Sequence, residues 1–314
     1  MGAVPVTPLE SPLFRRAGVA VAMLRLDLVH PYISGNKWFK LAPLRARLAA
    51  GERPRRLLSF GGAWSNHLHA LAWVGREYGV ETVAVVRGFA EQPPTATLED
   101  LQRWGMKLKF LPPVRYAEKY SADVLAELQS EYGDFELIPE GGSSVDAVVG
   151  CRQIWQLLAG SEWAAPHWLV TAVGTGGTLA GLIAGRPEGS RLLGIPVLRA
   201  DERMPAAIRG LLADAKVSDP GGWELALGLD AGGYARLPAE LASSLKLFEA
   251  RFALPLEPVY TLKMVMGVNR LIAAGYFASG SRILLLHTGG LQGRRGMVER
   301  IERRASAFSG PLLV

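Results

Sequence analysis

Lysine is scarce in this chain, with eight residues among the 35 lysines and arginines, and one of them stands in a setting suited to covalent chemistry. Lys37 follows Ser34-Gly35-Asn36 at the predicted start of a helix and precedes Trp38 and Phe39. An amine attacks a carbonyl carbon only when it is unprotonated. The partial positive charge of a helix N-terminus and apolar neighbours both disfavour the ammonium form. That combination suits a Schiff-base lysine; the alternative is a surface lysine in a first helical turn. The other seven, Lys40, Lys107, Lys109, Lys119, Lys216, Lys246 and Lys263, stand in amphipathic or surface-like contexts.

A second centre is Gly174-Thr175-Gly176-Gly177-Thr178, which follows an apolar run and opens a helical one. Glycines let backbone N–H groups approach an anion, and a helix N-terminus favours negative charge, so a phosphate site is the natural reading. A strand-to-helix turn without a ligand is the alternative. The dinucleotide fingerprint requires a third glycine where Leu179 stands, and no Gly-Lys-Ser/Thr follows, which excludes a P-loop. The hydroxyls of Thr175 and Thr178 suit a monoester phosphate.

Three further clusters sit at the ends of apolar runs. In Gly61-Gly62-Ala63-Trp64-Ser65-Asn66-His67, Ser65 falls at a helix N-cap, and a capping role alone accounts for it. The glycines of a hydrolase elbow are absent around it. His67 and His69 are two apart, which makes a poor metal pair on a helix, and no metal is expected. Glu257-Pro258-Val259-Tyr260-Thr261 and His287-Thr288-Gly289-Gly290 place polar groups where open α/β sheets bind ligands.

The elements that must position these residues alternate in type. Strands are predicted over 19–28, 56–60, 82–86, 107–110, 137–139, 168–173, 192–198 and 282–286. Helices are predicted over 36–50, 65–78, 97–104, 122–131, 144–159, 179–184, 204–215, 238–250 and 263–274. The alternation argues for an α/β fold of parallel sheets with helices on both faces. Residues 47–153 hold strand–helix units of their own and form a candidate insertion.

Ser-Gly-Asn-Lys, Gly-Gly-x-x-Ser-Asn-His, Gly-Thr-Gly-Gly-Thr, Pro-Val-Tyr-Thr and His-Thr-Gly-Gly occur in that order between residues 34 and 290. Together they resemble the D-cysteine desulfhydrase and 1-aminocyclopropane-1-carboxylate deaminase family, pyridoxal-phosphate enzymes of the tryptophan-synthase-β-like fold type II. The resemblance implies two open parallel-sheet domains with pyridoxal 5′-phosphate between them: a large domain of residues 1–46 and 154–314, and a small mobile one of 47–153. It implies that Lys37 carries the cofactor, that Thr175, Gly176, Gly177 and Thr178 cradle its phosphate, and that Asn66 meets its 3′-oxygen. Ser65 resembles the hydroxyl that meets the substrate carboxylate or serves as an auxiliary acid or base. Tyr260 resembles the aromatic that stacks on the ring, Tyr234 a second active-site tyrosine, and Thr288 a residue near ring or substrate.

Two positions depart from that pattern. The deaminases have glutamate after the stacking tyrosine, where this chain has Thr261, expected beside the pyridine nitrogen. A carboxylate there keeps the ring protonated and strengthens the electron sink; a threonine does not. Thr261 therefore favours expulsion of a good leaving group, such as the thiolate of D-cysteine, over opening of a cyclopropane. Trp64 stands where the family commonly has glutamine, which points to a reshaped pocket and keeps a non-catalytic binding role in view.

Composition narrows the setting. A net charge of +6 is compatible with an acidic partner, but the basic residues are scattered and match no nucleic-acid-binding pattern. Cys151 is the single cysteine, so no intrachain disulfide forms, which fits a reducing compartment. No apolar stretch approaches membrane-spanning length and residues 1–14 do not read as a signal peptide, so a cytoplasmic address is expected. The expected partner is a small amino-acid substrate, and the family resemblance implies a homodimer.

Overall fold

Apolar runs of this chain alternate their contacts residue by residue, and that period decides how two sheets are sandwiched. The computed structural model describes residues 4–312, so the first three and last two residues of the expected large domain lie outside the described residues. Ten strands are assigned there: β1 (Val6–Leu9), β2 (Ala20–Leu24), β3 (Arg56–Gly62), β4 (Glu81–Arg87), β5 (Lys107–Leu111), β6 (Glu136–Ile138), β7 (Trp168–Val173), β8 (Arg191–Pro196), β9 (Trp223–Leu225) and β10 (Arg282–Leu286). They form a six-stranded sheet in the order β1-β2-β10-β7-β8-β9 and a four-stranded sheet in the order β5-β4-β3-β6.

In β7, Trp168, Val170 and Ala172 join one core while Leu169 and Val173 join another. Strand β10 divides likewise, with Ile283 and Leu285 on one side and Leu284 and Leu286 on the other. A strand buried on both faces needs such a continuous apolar run. The smaller sheet repeats the device: Leu58 and Phe60 face one cluster, Leu57 the other. All pairings are parallel except β1 with β2, which is antiparallel. That edge strand and β9 were not expected from sequence; each is only three or four residues long.

Two predicted helices are broken. The segment 36–50 divides into Asn36–Lys40 and Ala42–Ala49. Pro43 has no N–H to offer the Phe39 carbonyl, four residues back. The helix Val145–Cys151 uses the gap: a Cβ on Gly150 would lie 1.8 Å from Phe39 O, so only glycine permits the approach. The segment 144–159 tightens after Cys151 into a 3₁₀ helix over Arg152–Leu158. Val148 and Cys151 pack in the core of the larger sheet with Leu179 and Leu182.

Candidate active site

The chain leaves β3 at Gly61-Gly62, β4 at Arg87, β7 at Gly174 and β10 at His287, and these carboxyl ends converge on one cavity of about 530 Å³. Open parallel sheets bind ligands at such ends. Lys37, Asn66, Thr175 and Tyr260 all line it.

Lys37 reaches the cavity because Gly35 has φ +65° and no side chain; a Cβ there would lie 1.9 Å from Thr288 O. Asn36 N donates to that same carbonyl at 3.2 Å, which fastens the lysine segment to the end of β10. Lys37 Nζ donates to Asn36 Oδ1 at 3.1 Å. Its pKa is lowered to about 7, first by burial and then by the neighbouring Lys40. The sequence argument anticipated the direction and one cause, apolar surroundings; the helix has only five residues, and the second lysine was not foreseen.

Lys40 and Lys263 do not stand in surface-like contexts, which corrects the sequence reading of both: their exposures are 4% and 1%. Lys40 Nζ donates to Gly141 O at 2.9 Å and Ser143 Oγ at 3.0 Å, and burial lowers its pKa to about 8. Lys263 Nζ donates to the carbonyls of Val197, Asp230 and Gly233 at 3.2, 2.9 and 2.5 Å. The last two belong to the loop that presents Tyr234. Three carbonyls satisfy a buried ammonium that no periodicity argument would place inside.

The glycine loop has the shape of an anion cradle. Gly176 adopts φ +85°, and the helix Gly177–Ala184 begins directly after it. A Cβ on Gly177 would meet Ser143 Oγ at 2.7 Å and Lys40 Nζ at 3.2 Å. Ser143 and Thr175 share a hydrogen bond of 2.5 Å between their hydroxyls, and Thr178 Oγ1 accepts from Asn36 Nδ2 at 2.8 Å. The Tyr260 ring lies beside Gly174, where a Cβ would be 3.2 Å from Cε1, and meets Tyr234 edge-on at a centroid distance of 6.2 Å. Tyr234 is 56% exposed and forms part of the cavity rim.

Ser65 caps the helix Asn66–Tyr78, accepting from Leu68 N at 3.2 Å, while also lining the cavity. Asn66, His67 and Thr288 line it too. His67 Nε2 is 3.0 Å from Ser59 Oγ, and its buried Nδ1 has no partner among the described residues. Burial, then Lys37 and Lys40, hold this imidazole well below its ordinary pKa.

Two residues of the expected constellation do not line this cavity. Gly177 does not line the cavity; it serves by leaving room for Ser143 and Lys40. Thr261 is fully buried and does not line the cavity. Its hydroxyl accepts from Glu257 N at 2.8 Å and donates to Glu257 O at 3.0 Å, closing the turn before the helix Thr261–Ala273. Glu257 Oε1 and Oε2 accept from Val259 N and Tyr260 N at 2.8 and 2.6 Å, so the carboxylate shapes the same turn.

The sequence reading missed Asn36, Lys40, Arg87, Tyr116 and Glu140, all in the lining. Lys40 had a usable signal, since it follows Lys37 by three positions and a helix puts both on one face. Arg87, Tyr116 and Glu140 had none, because only the small sheet brings β4, β6 and the helix Pro113–Ala117 to one rim. Tyr116 donates to Glu140 Oε1 at 2.7 Å, and Lys119 pairs with Glu140 Oε2 at 3.3 Å.

The residues present fit pyridoxal phosphate on their own chemistry: a near-neutral amine, a glycine cradle with two threonine hydroxyls, an aromatic face and amide donors in one cavity. Residues 1–289 match the profile of the family described as pyridoxal-phosphate dependent enzyme. The chain belongs to this family. Among relatives of the pyridoxal-phosphate enzyme, a Pyrococcus horikoshii protein named "Putative 1-aminocyclopropane-1-carboxylate deaminase" is 29% identical over 307 residues, covering 92% of each chain. A Thermotoga maritima protein of the same name is 27% identical over 292 residues, covering 90% of this chain and 92% of its own. A solved structure described as an ACC deaminase homologue superposes with a TM-score of 0.84 at 27% identity, covering 97% of this chain and 94% of the other. Threonine deaminase isoform 2 from Solanum lycopersicum shares the fold at a TM-score of 0.64 and 14% identity, covering 96% of this chain and 85% of its own. The pyridoxal-phosphate enzyme therefore has the fold type II architecture, and its cofactor is pyridoxal 5′-phosphate. No helix among the described residues is long and apolar enough to cross a membrane.

Proposed function

We propose that this enzyme eliminates a leaving group from the β-carbon of a small amino acid, with D-cysteine as the leading substrate. The observation that carries the reading is the cavity lining: a near-neutral Lys37 with no carboxylate among the described lining residues except Glu140, which Tyr116 and Lys119 already engage. The bound cofactor supplies an electron sink next to the substrate amine. Without a carboxylate to strengthen that sink, a good leaving group has to share the work. Position 261 carries no carboxylate either, although its hydroxyl faces the turn rather than the cavity.

Lys37 holds the cofactor, and the loop Thr175-Gly176-Gly177-Thr178 holds the phosphate, with Asn36 spacing the two. Lys37 Nζ, freed when the substrate amine displaces it and held toward its neutral form by burial and Lys40, takes the α-proton of the substrate. The Cβ–S bond breaks with its electron pair passing to sulfur, which leaves as hydrosulfide. Released aminoacrylate adds water and gives pyruvate and ammonia. Ser65 meets the substrate carboxylate, and Tyr260 and Tyr234 bound the opposite face. The four-stranded unit within 47–153 closes over the substrate. By family resemblance the enzyme is a homodimer, and its single cysteine fits a reducing, cytoplasmic setting.

Cyclopropane opening is the second reading, favoured by the names of the relatives. The two separate in one assay: pyruvate release from D-cysteine, L-cysteine and β-chloro-D-alanine, set beside 2-oxobutyrate release from 1-aminocyclopropane-1-carboxylate. Faster pyruvate release from the D-substrates is expected. Faster 2-oxobutyrate release overturns the β-elimination reading. A protein that absorbs at ~410–420 nm yet turns over none of the four has a binding role or a different substrate.

A further inference from the structure

Asn66 lines the cavity, and its side chain is gripped from the far end of the chain. Gln292 Nε2 donates to Asn66 Oδ1 at 2.7 Å, across 226 positions. An amide has a donor end and an acceptor end of nearly equal shape, so its partners decide which one faces a ligand. Here the oxygen is engaged by Gln292. The nitrogen lies against Gly290, where a Cβ would come within 2.4 Å of Nδ2, and Gly290 adopts φ +87°. No side chain can grow there to compete for that N–H₂ group.

Gln292 is itself anchored. Its backbone carbonyl accepts from Arg295 Nε at 3.0 Å, and Arg295 forms an ion pair with Asp100 and reaches Ala96 O at 3.4 Å. Asp100 also takes Arg103 at 3.1 Å. The 3₁₀ segment Leu291–Gly296 is thereby clamped onto the helix Ala96–Arg103 of the smaller sheet.

We propose that Gln292 is a positioning residue: it fixes Asn66 with Nδ2 toward the cavity, so that a donor meets an anionic oxygen of the cofactor. This rests on the reading of Asn66 as the residue that meets the 3′-oxygen. Were both amides turned over, the bond between them would survive, but Asn66 would aim a carbonyl at an anion. The direction of the bond, from Gln292 Nε2 to Asn66 Oδ1, is the one that leaves the Asn66 donor for the ligand.

Gln292→Glu keeps the shape and replaces the donor with an acceptor, which turns Asn66 the wrong way. Gln292→Met keeps the length and removes the hydrogen bond, which leaves Asn66 free to choose. Asn66→Ala serves as the reference. The measurements are pyridoxal-phosphate affinity by absorbance titration, the pH midpoint of the long-wavelength band, and the unfolding midpoint of each cofactor-free variant. Gln292→Glu should weaken affinity about tenfold or more, and Gln292→Met by about threefold. The band midpoint should rise in both, because an oxygen that loses a donor holds its proton more tightly. Equal effects of Glu and Met, or wild-type behaviour of both while Asn66→Ala weakens binding, overturn the proposal. An Asn66→Ala protein with unchanged affinity and band overturns the reading of Asn66 itself, and the proposal with it. Should Gln292→Glu fail to fold, Gln292→Met decides: a weaker, shifted protein supports the proposal and an unchanged one overturns it.

Discussion

Asn36 and Thr178 stand 142 positions apart in the chain and are joined by a hydrogen bond of 2.8 Å from Nδ2 to Oγ1. Through its other end Asn36 accepts from Lys37 at 3.1 Å. One amide thus sets the spacing between the Lys37 amine and the glycine loop, the two proposed anchor points of the cofactor. Asn36→Ala should lower cofactor affinity and cost about 1–3 kcal/mol of stability, because Thr178 loses a buried partner. Equilibrium unfolding and a cofactor titration check the two effects separately. A variant that loses stability but binds normally would leave Asn36 a purely structural role.

Lys37→Ala should abolish turnover and the band at ~410–420 nm together while preserving the fold. Borohydride treatment of the native enzyme followed by peptide mapping should find the cofactor on Lys37. Lys40 is the informative competitor, since it is buried and also lines the cavity. A label on Lys40 would overturn the assignment.

Stability of the cofactor-free protein should depend on pH through Lys37. Its folded pKa is about 7 against an ordinary 10.5. Between those values the unfolded chain holds a proton that the folded chain lacks. The penalty for charging this amine is therefore fully present below pH 7 and fades toward pH 10.5. Tm should rise from pH 7 to about pH 9, and Lys37→Met should flatten that rise. An unchanged slope in the variant would assign the pH dependence to other groups.

Gly177→Ala should weaken cofactor binding more than it weakens folding. The new methyl group would displace Ser143 Oγ and Lys40 Nζ from the mouth of the cradle. Loss of one anion contact corresponds to ~1.5–3 kcal/mol, more than tenfold in affinity. Titration with pyridoxal phosphate reads this directly, and wild-type affinity would reduce the loop to a turn.

Trp64→Gln should widen or shift the substrate range. The indole lines the cavity and reaches Gly296, where a Cβ would lie 2.0 Å from the ring. Removing it opens the gap between the small sheet and the segment Leu291–Gly296. Pyruvate release from a series of β-substituted alanines measures the change; an unaltered ranking would show that Trp64 only packs.

The sequence alone determined the α/β class, since runs such as Trp168–Val173 are apolar enough to be buried on both faces. It also marked Lys37, the Gly174–Thr178 loop and Ser65, because special backbone demands and helix caps leave local signatures, and Asn66 through the family resemblance. The tertiary structure decided what those residues do together. Lys40 and Lys263 entered the interior because oxygens from distant loops satisfy their ammonium groups, which no local pattern records. The Thr261 hydroxyl is held in its turn because the Glu257 backbone offers it both a donor and an acceptor. Glu140, Arg87 and Tyr116 reached the rim through the order of strands in the smaller sheet. Gln292 found Asn66 only because Arg295 and Asp100 hold a C-terminal segment against that sheet. Contacts of this kind depend on where separate elements pack, and packing is a property of the whole chain rather than of any stretch of it.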